Sequence, residues 1–213
     1  ATLYGDHCLL TSNRAILADI NRIFLYLENL KTRIGLLKGC KKLIVSPTGM
    51  RKTLLSYIDR EIKNARAGRK ASIILKLNSL SDTQLIEKLE AAARTGVEVK
   101  LIIRGICCLI TVNKKFKIPI QAVSIVDEYL EHARVMIFYN DGKEKIFISS
   151  ADWMLRNIDH RVEAACPVTN AAIADELKNI INIQLADNVK ARLLNNEQDN
   201  LYLKNGHKPL RSQ

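Results

Sequence analysis

A strand, a helix and a second strand are predicted in residues 72–105, SIILKLNSLSDTQLIEKLEAAARTGVEVKLIIRG. The run Ser72–Leu77 is short, apolar and rich in β-formers, which is typical of a buried strand. The segment Ser81–Thr95 has a helical pattern that a glycine ends, and Val97–Ile103 is a second β-rich run. Strands and helices that alternate in this way predict an α/β layered sheet.

The same alternation continues on both sides of this unit. Asn140-Asp141-Gly142 is a hairpin signal, because Asp-Gly supports the positive backbone angles that tight turns need. After Asp187 the chain is polar and is predicted as a tail without assigned structure. The further predicted strands are Leu43–Val45, Gln121–Val126, Val135–Tyr139, Lys145–Ser149 and Val162–Val168, and the further helices are Met50–Ala67 and Ala171–Leu185.

The first 40 residues have a different pattern. Apolar residues recur at helical spacing over Ser12–Leu30, behind a predicted Thr11-Ser12 cap. We therefore divide the chain into a helical segment, residues 1–40, and an α/β domain, residues 41–213. Because Ala1 is not an initiator methionine, we expect the sequence to be a piece of a longer protein.

Composition narrows the class of protein. With 213 residues and 47% hydrophobic content the chain can bury a real core. It contains neither an apolar run of the roughly 20 residues that span a bilayer nor a secretory signal pattern, so we expect a cytoplasmic protein and leave open an association with the membrane surface. The five cysteines fit neither a disulfide framework nor a zinc ribbon, and most are predicted to be buried thiols.

The net charge of +11 favours polyanionic partners such as nucleic acid, anionic lipid or polyphosphate. Only 5% of the residues are aromatic, which leaves few platforms for stacking single-stranded bases. A charge excess that serves solubility alone is the alternative.

One histidine stands in a setting that suits phosphate chemistry. His132 lies two residues before Arg134 at the entrance to a predicted strand, which places both side chains on the same side of the pleat. Imidazole exchanges a proton near neutral pH, and guanidinium holds phosphate oxygens with a planar set of donors. The polar residues that follow are Ser149, Ser150, Asp152, Arg156, Arg161 and Glu163.

This arrangement resembles the His-x-Lys motif of the phospholipase D superfamily, with Arg134 at the lysine position. The chemistry of that superfamily uses two such histidines. A phospholipase D-like phosphodiesterase or nuclease therefore remains an alternative in which two chains each supply one His132.

A more extensive resemblance is to the long, histidine-phosphorylated type of polyphosphate kinase, and it covers nearly the whole chain in order. It implies a phospholipase D-like α/β fold with helices on both faces of the sheet, and residues 1–40 would end the preceding catalytic domain. The segments that carry it are residues 3–6 (LYGD), 46–51 (SPTGMR), 77–80 (LNSL), 103–109 (IRGICCL), 130–132 (LEH), 149–154 (SSADWM) and 188–192 (NVKAR).

The resemblance also implies roles for individual residues. His132 matches the second catalytic histidine of the family. The family's phosphorylated histidine lies upstream of this chain, and His7 is interpreted as incidental. The remaining implied site residues are Tyr4 and Asp6 near the nucleotide, Arg104 on phosphate, and Arg161 with Glu163 in the active site.

The implied activity is reversible transfer of the terminal phosphate of ATP to polyphosphate through a phosphohistidine. The implied partners are ATP or ADP and polyphosphate, and the intact enzyme would be a homo-oligomer that binds no nucleic acid. Mg²⁺ is the expected cofactor, and its ligands are expected outside this chain. We expect this chain alone to be inactive. A basic nucleic-acid-binding module without catalysis is the alternative from another class.

Strand ends that carry polar side chains predict the position of the site. Arg104, His132 and Arg161 with Glu163 each flank a strand, and ligand sites in α/β sheets gather at such ends. We expect these groups to converge within about 10 Å on an open, electropositive pocket, and we expect Tyr4 to lie apart.

Overall fold

The computed structural model describes residues 4–29 and 34–213, and its centre is one eight-stranded sheet. Its strands in spatial order are β10 (Ala191–Leu193), β5 (Gln121–Ile125), β4 (Glu98–Ile103), β3 (Ser72–Leu77), β7 (Arg134–Phe138), β8 (Lys145–Ser149), β9 (Glu163–Pro167) and β2 (Ile44–Ser46). A separate two-stranded sheet joins β1 (Tyr4–Gly5) to β6 (Leu130–Glu131).

The large sheet is mixed. β3, β4 and β5 are parallel neighbours, as the alternation of strands and helices predicts. β7, β8, β9 and β2 continue the sheet as antiparallel strands. The first predicted strand, β2, therefore lies at the edge beside β9 and does not pair with β3.

Two helices cover one face of the sheet, α3 (Met50–Arg66) and α4 (Thr83–Thr95). Alternate residues of β3, such as Ile73 and Leu75, join the main hydrophobic core with these helices, while Ile74 packs on the other side. Asp82 caps α4 by accepting a hydrogen bond from the backbone N–H of Leu85.

The opposite side carries further helices. α6 (Ala171–Ala186) contributes Leu177 and Ile181 to a second core with residues of β5 and β7. α1 (Arg14–Leu27) and α2 (Ile34–Lys38) pack in a third cluster with residues of β2 and β9. The predicted α/β fold with helices on both faces is confirmed.

Two predicted features of the chain termini need correction. The cap of α1 is Asn13, whose side chain accepts from the backbone N–H groups of Ala15 and Ile16, and not Thr11-Ser12. The predicted end of that helix at Leu30 lies outside the described residues. The segment after Asp187, to which the sequence assigned no structure, contains β10, which pairs with β5.

The predicted hairpin is confirmed. β7 and β8 pair antiparallel on either side of a short turn, Asn140–Gly142. All three turn residues have positive φ, which is the backbone conformation that an Asp-Gly pair favours.

The prediction for the cysteines is wrong in its main point. All five are free, but Cys8 and Cys108 are exposed and the other three are half-buried. Within the described ranges, no helix is long and apolar enough to cross a membrane.

Candidate active site

A polar cavity of about 620 Å³ opens where β7 and β9 begin and β8 ends. Strands of both directions meet at this edge, so residues distant in sequence become neighbours. The cavity is lined by Asp6, His7, Asn78, His132, Arg134, Ile148, Ser149, Ser150, Asp152, Arg156, Asn157, Arg161, Glu163, Ala164 and Cys166.

The side chain of His132 lies between the carboxylate of Asp6 and the guanidinium of Arg134 at the mouth of this cavity. Its Nδ1 is 3.4 Å from a carboxylate oxygen of Asp6, and Nη1 of Arg134 is 3.1 and 3.3 Å from its two ring nitrogens. Arg134 also donates to the backbone carbonyl of His132 at 2.9 Å. Since arginine can only donate, the ring nitrogen that accepts from Arg134 must be one that carries no proton. The predicted pairing of His132 and Arg134 is confirmed.

Asp152 fixes Arg134 and joins two strand ends. Its carboxylate accepts from Nε and Nη2 of Arg134 at 3.2 and 2.9 Å, a bidentate pair. The same carboxylate accepts from the backbone N–H groups of Asn78 and Ser79 at 2.8 and 3.0 Å. Both charged side chains are largely buried, so Arg134 is held rigidly beside His132.

Glu163 organises the far wall. Its carboxylate accepts from the side chains of Asn157, at 2.7 Å, and Ser150, and it lies 3.5 Å from Nε of Arg161. The hydroxyl of Ser46 links the backbones of Arg161 and Glu163 across β2. Glu163 is buried and Arg161 is 57% exposed, so the guanidinium remains open to a ligand.

Arg156, which the sequence did not mark as a site residue, lines the same wall. It belongs to α5 (Leu155–Asp159) and is exposed. Within residues 4–29 and 34–213 its side chain forms no ion pair or hydrogen bond. It is therefore a cation available to a bound anion.

The cavity is not electropositive in formal charge. Arg134, Arg156 and Arg161 are balanced by Asp6, Asp152 and Glu163. The predicted positive pocket is wrong for the lining as a whole, because two of the three arginines are already paired with acids.

Arg104 is not among the residues that line the cavity. Its Nε donates to the side-chain oxygen of Asn78 at 2.7 Å, and Asn78 lines the cavity. The predicted convergence thus joins His132, Arg161 and Glu163 directly, and reaches Arg104 only through Asn78.

Tyr4 is not apart from the site, contrary to expectation. β1 and β6 pair in parallel, with Tyr4 opposite Leu130, and the backbone N–H of His132 donates to Gly5 at 2.8 Å. The rings of Tyr4 and His132 meet edge to face, with 5.7 Å between their centroids. Backbone pairing, invisible in the local pattern, holds Tyr4 at the histidine.

His7 also lies at this cavity, and its interpretation as incidental to the chemistry stays a prediction. It lines the cavity, and its buried Nε2 has no hydrogen-bond partner. Burial lowers the pKa of His7, and the nearby charge of Lys76 lowers it further.

The described residues offer no metal site of their own. No group of three or more His, Cys, Asp or Glu side chains in the described part of the chain is arranged to hold a metal ion. The lining carboxylates instead accept hydrogen bonds from protein donors.

Known proteins resemble this chain in sequence and in structure. The family described as "Polyphosphate kinase C-terminal domain 2" matches residues 43–213. The polyphosphate kinase of Vibrio vulnificus (strain YJ016) is 44% identical over 214 residues, which cover 100% of this chain and 30% of that protein. The polyphosphate kinase of Escherichia coli (strain K12) is 42% identical over 208 residues, covering 98% and 30%.

Solved structures give the same grouping. The polyphosphate kinase of Porphyromonas gingivalis superposes with a TM-score of 0.88 at 38% identity, over 95% of this chain and 31% of that one. Nuc of Salmonella typhimurium, a phospholipase D family member, superposes with a TM-score of 0.51 at 19% identity, over 72% of this chain and 97% of that one. This second likeness shows the fold alone.

The chain thus spans about 30% of the length of the curated relatives it matches. It belongs to the polyphosphate kinase family, as the C-terminal domain whose sheet edge forms the cavity at His132.

Proposed function

We propose that this chain is the C-terminal part of an enzyme that reversibly transfers the terminal phosphate of ATP to polyphosphate. The phosphorylated histidine would lie outside this chain. The observation that carries the proposal is the placement of His132 at a cavity that also presents two exposed guanidinium groups, on Arg156 and Arg161.

His132 would act as a general acid or base at the bridging oxygen of the transferred phosphate. Its side chain is 36% exposed, so a ligand can reach it. Asp6 contacts Nδ1 of the ring, Arg134 contacts both Nδ1 and Nε2, and together they limit its rotation.

The arginines would neutralise the charge of the transferring group. Arg161 and Arg156 project from the far wall, and Glu163 keeps Arg161 in place through a 3.5 Å contact. Arg104 would orient Asn78, whose side chain accepts from it. Tyr4 and Asp6 would contact the nucleotide from the other side of His132.

The proposal includes Mg²⁺ only as an ion that residues outside this chain would bind. The described residues do not fit a metal ion, so we route no step through one and expect its ligands outside this chain. From the same resemblance we also propose that the intact enzyme is a homo-oligomer, that it is cytoplasmic and that it binds no nucleic acid.

Replacement of His132 by alanine in the intact enzyme tests the proposal. We expect polyphosphate synthesis to fall by about 10² to 10⁴, the usual contribution of a general acid or base. Folding should change little because the side chain is not part of the core. The matched control is His207→Ala, an exposed histidine that does not line the cavity.

Near-normal turnover of His132→Ala would remove this residue from the mechanism. Nuclease activity of the purified chain that depends on His132 would favour the phospholipase D-like alternative. Tight nucleic-acid binding that ignores His132, without transfer activity, would favour the binding module.

A further inference from the structure

The loop that precedes His132, residues 127–131, has little apolar packing to hold it. Tyr129 is 47% exposed, and Val126, just before the loop, is 63% exposed. Yet this loop leads directly into His132 and pairs with β1, the strand that bears Tyr4, and the backbone N–H of His132 donates to Gly5 of that strand. Its conformation must therefore depend on polar contacts, and most of them come from residues 211–213.

Arg211 holds the start of the loop. Its Nε and Nη2 donate to the two carboxylate oxygens of Asp127 at 2.7 and 2.9 Å. Nη2 also donates to Glu128 at 3.2 Å. A bidentate arginine–carboxylate pair fixes direction as well as distance.

Gln213 holds the end of the loop. Its amide pairs with both backbone groups of Tyr129: the N–H of Tyr129 donates to Oε1 at 2.8 Å, and Nε2 donates to the carbonyl at 3.1 Å. Nε2 also lies 3.3 Å from Oε1 of Glu131, the residue before His132.

The inner side of Glu131 is anchored to the body of the domain. Its other oxygen accepts from Gln184 of α6 at 3.0 Å and from the buried amine of Lys76 on β3. Gln213 thus completes a set of donors around one carboxylate.

The segment that carries Arg211 and Gln213 is itself fixed to the end of α6. Asp187, which is fully buried, accepts from both the backbone N–H and the hydroxyl of Ser212, at 2.8 and 2.7 Å. Residues 211–213 therefore connect a rigid buried anchor to the loop before His132.

We propose that Arg211 and Gln213 are positioning residues that set the orientation of His132 for phosphate transfer by clamping residues 127–131. The proposal rests on the function proposed above. Neither residue lines the cavity, so each acts through the loop and through His132.

A double-mutant cycle in the intact enzyme tests this. Arg211→Ala should lower kcat by roughly 10-fold or more, since a misplacement of about 1 Å can cost about 10²-fold. The same change in a His132→Ala background should cost nothing further, because the effect passes through His132. Gln213→Ala should behave in the same way.

The matched control is Arg192→Ala. Arg192 also makes two hydrogen bonds within the C-terminal segment, to Asn200 and Tyr202, but none to residues 127–131. It should leave kcat unchanged. Equal losses for Arg211→Ala and Arg192→Ala, or an Arg211→Ala loss that persists without His132, would overturn the positioning role.

A second measurement separates this proposal from the function it rests on. The imidazole NMR signals of His132 should shift in Arg211→Ala and stay in place in Arg192→Ala. Unmoved signals contradict the clamp whatever the activity. Moved signals together with full activity of His132→Ala keep the clamp and discard the proposed function.

Discussion

His132, Arg134 and Asp152 form a series of polar contacts in which exposure falls from one residue to the next. The imidazole is 36% exposed, and the side chains of Arg134 and Asp152 are 10% and 8% exposed. The first can meet a ligand, while the other two hold the backbone and the ring. Reactive and supporting groups are thus separated by burial.

Asp152→Ala should destabilise the chain strongly. It leaves the guanidinium of Arg134 buried without its partner and frees two backbone donors, and breaking a buried ion pair typically costs about 3 to 5 kcal/mol. Urea denaturation gives the free energy of unfolding. Asp175→Ala, which removes an exposed ion pair with Lys178, is the control and should stay within about 0.5 kcal/mol. Equal small effects would mean that Asp152 is not a structural hub.

Site residues could be predicted where they belong to a sequence motif. They could not be predicted where only the folding of the chain brings them to the cavity. His132, Arg161 and Glu163 follow from sequence patterns that match the family. Arg156 and Asn78 belong to segments singled out in the sequence, but neither was predicted as a site residue, because only folding brings α5 and the end of β3 to one cavity.

Helices and strands with a clear local sequence pattern were predicted. Strands that depend on pairing with distant residues were not. β3, α4 and β4 follow one another with a capping aspartate and a stop glycine at φ 95°. β10 has only three residues, and its place depends on pairing with β5 and on Asp187, which accepts backbone hydrogen bonds from residues 189–191. β1 and β6 have two residues each and exist only as a pair.

Asp19 connects α1 to the start of β2, so the two predicted parts of the chain are in direct contact. Its side chain is 1% exposed and accepts from the backbone N–H groups of Lys41, Lys42 and Leu43 at 2.9, 2.6 and 3.0 Å. The boundary between residues 40 and 41 remains a prediction.

The stability of this connection should depend on pH. Burial raises the pKa of Asp19, but the three backbone donors and Arg22 outweigh it and hold the pKa below its ordinary value of 3.8. The ionised form therefore stabilises the fold fully above that value, and this contribution is lost as pH falls through the lower folded-state pKa.

Asp19→Asn measures this dependence. The variant should be less stable than the parent at pH 7, and the difference should shrink as the pH falls below about 4. Urea denaturation at pH 7 and below pH 4 supplies both values, with the exposed Asp175→Asn as control. A difference that stays constant with pH would show that the charge of Asp19 contributes nothing.

Under the proposed function, this fold would supply one part of a larger site. The chain spans about 30% of its polyphosphate kinase relatives, and its cavity contains His132 but no second catalytic histidine matched by the family pattern. The net charge of +11 is not concentrated in the cavity, whose lining is balanced.

Under the proposed function, this chain alone should not make polyphosphate from ATP and Mg²⁺, because the histidine that would take the phosphate would lie outside it. Incubation with labelled ATP, with the intact enzyme assayed in parallel, gives the measurement. Synthesis by the pure chain would show that the phosphate acceptor is present here.

The central claim is that the cavity at His132 holds the phosphate groups of polyphosphate. Binding of polyphosphate of defined length to this chain, measured against salt, tests it most directly, since exposed charges are screened over about 10 Å at roughly 0.1 M salt. The decisive variant combines Arg156→Ala with Arg161→Ala. The control combines Arg60→Ala with Lys63→Ala, which removes the same charge from a separate cavity beside the hairpin. We expect an affinity that falls steeply with salt and is largely lost in the first variant but retained in the second. Equal losses in both, or binding that is insensitive to salt, would contradict it.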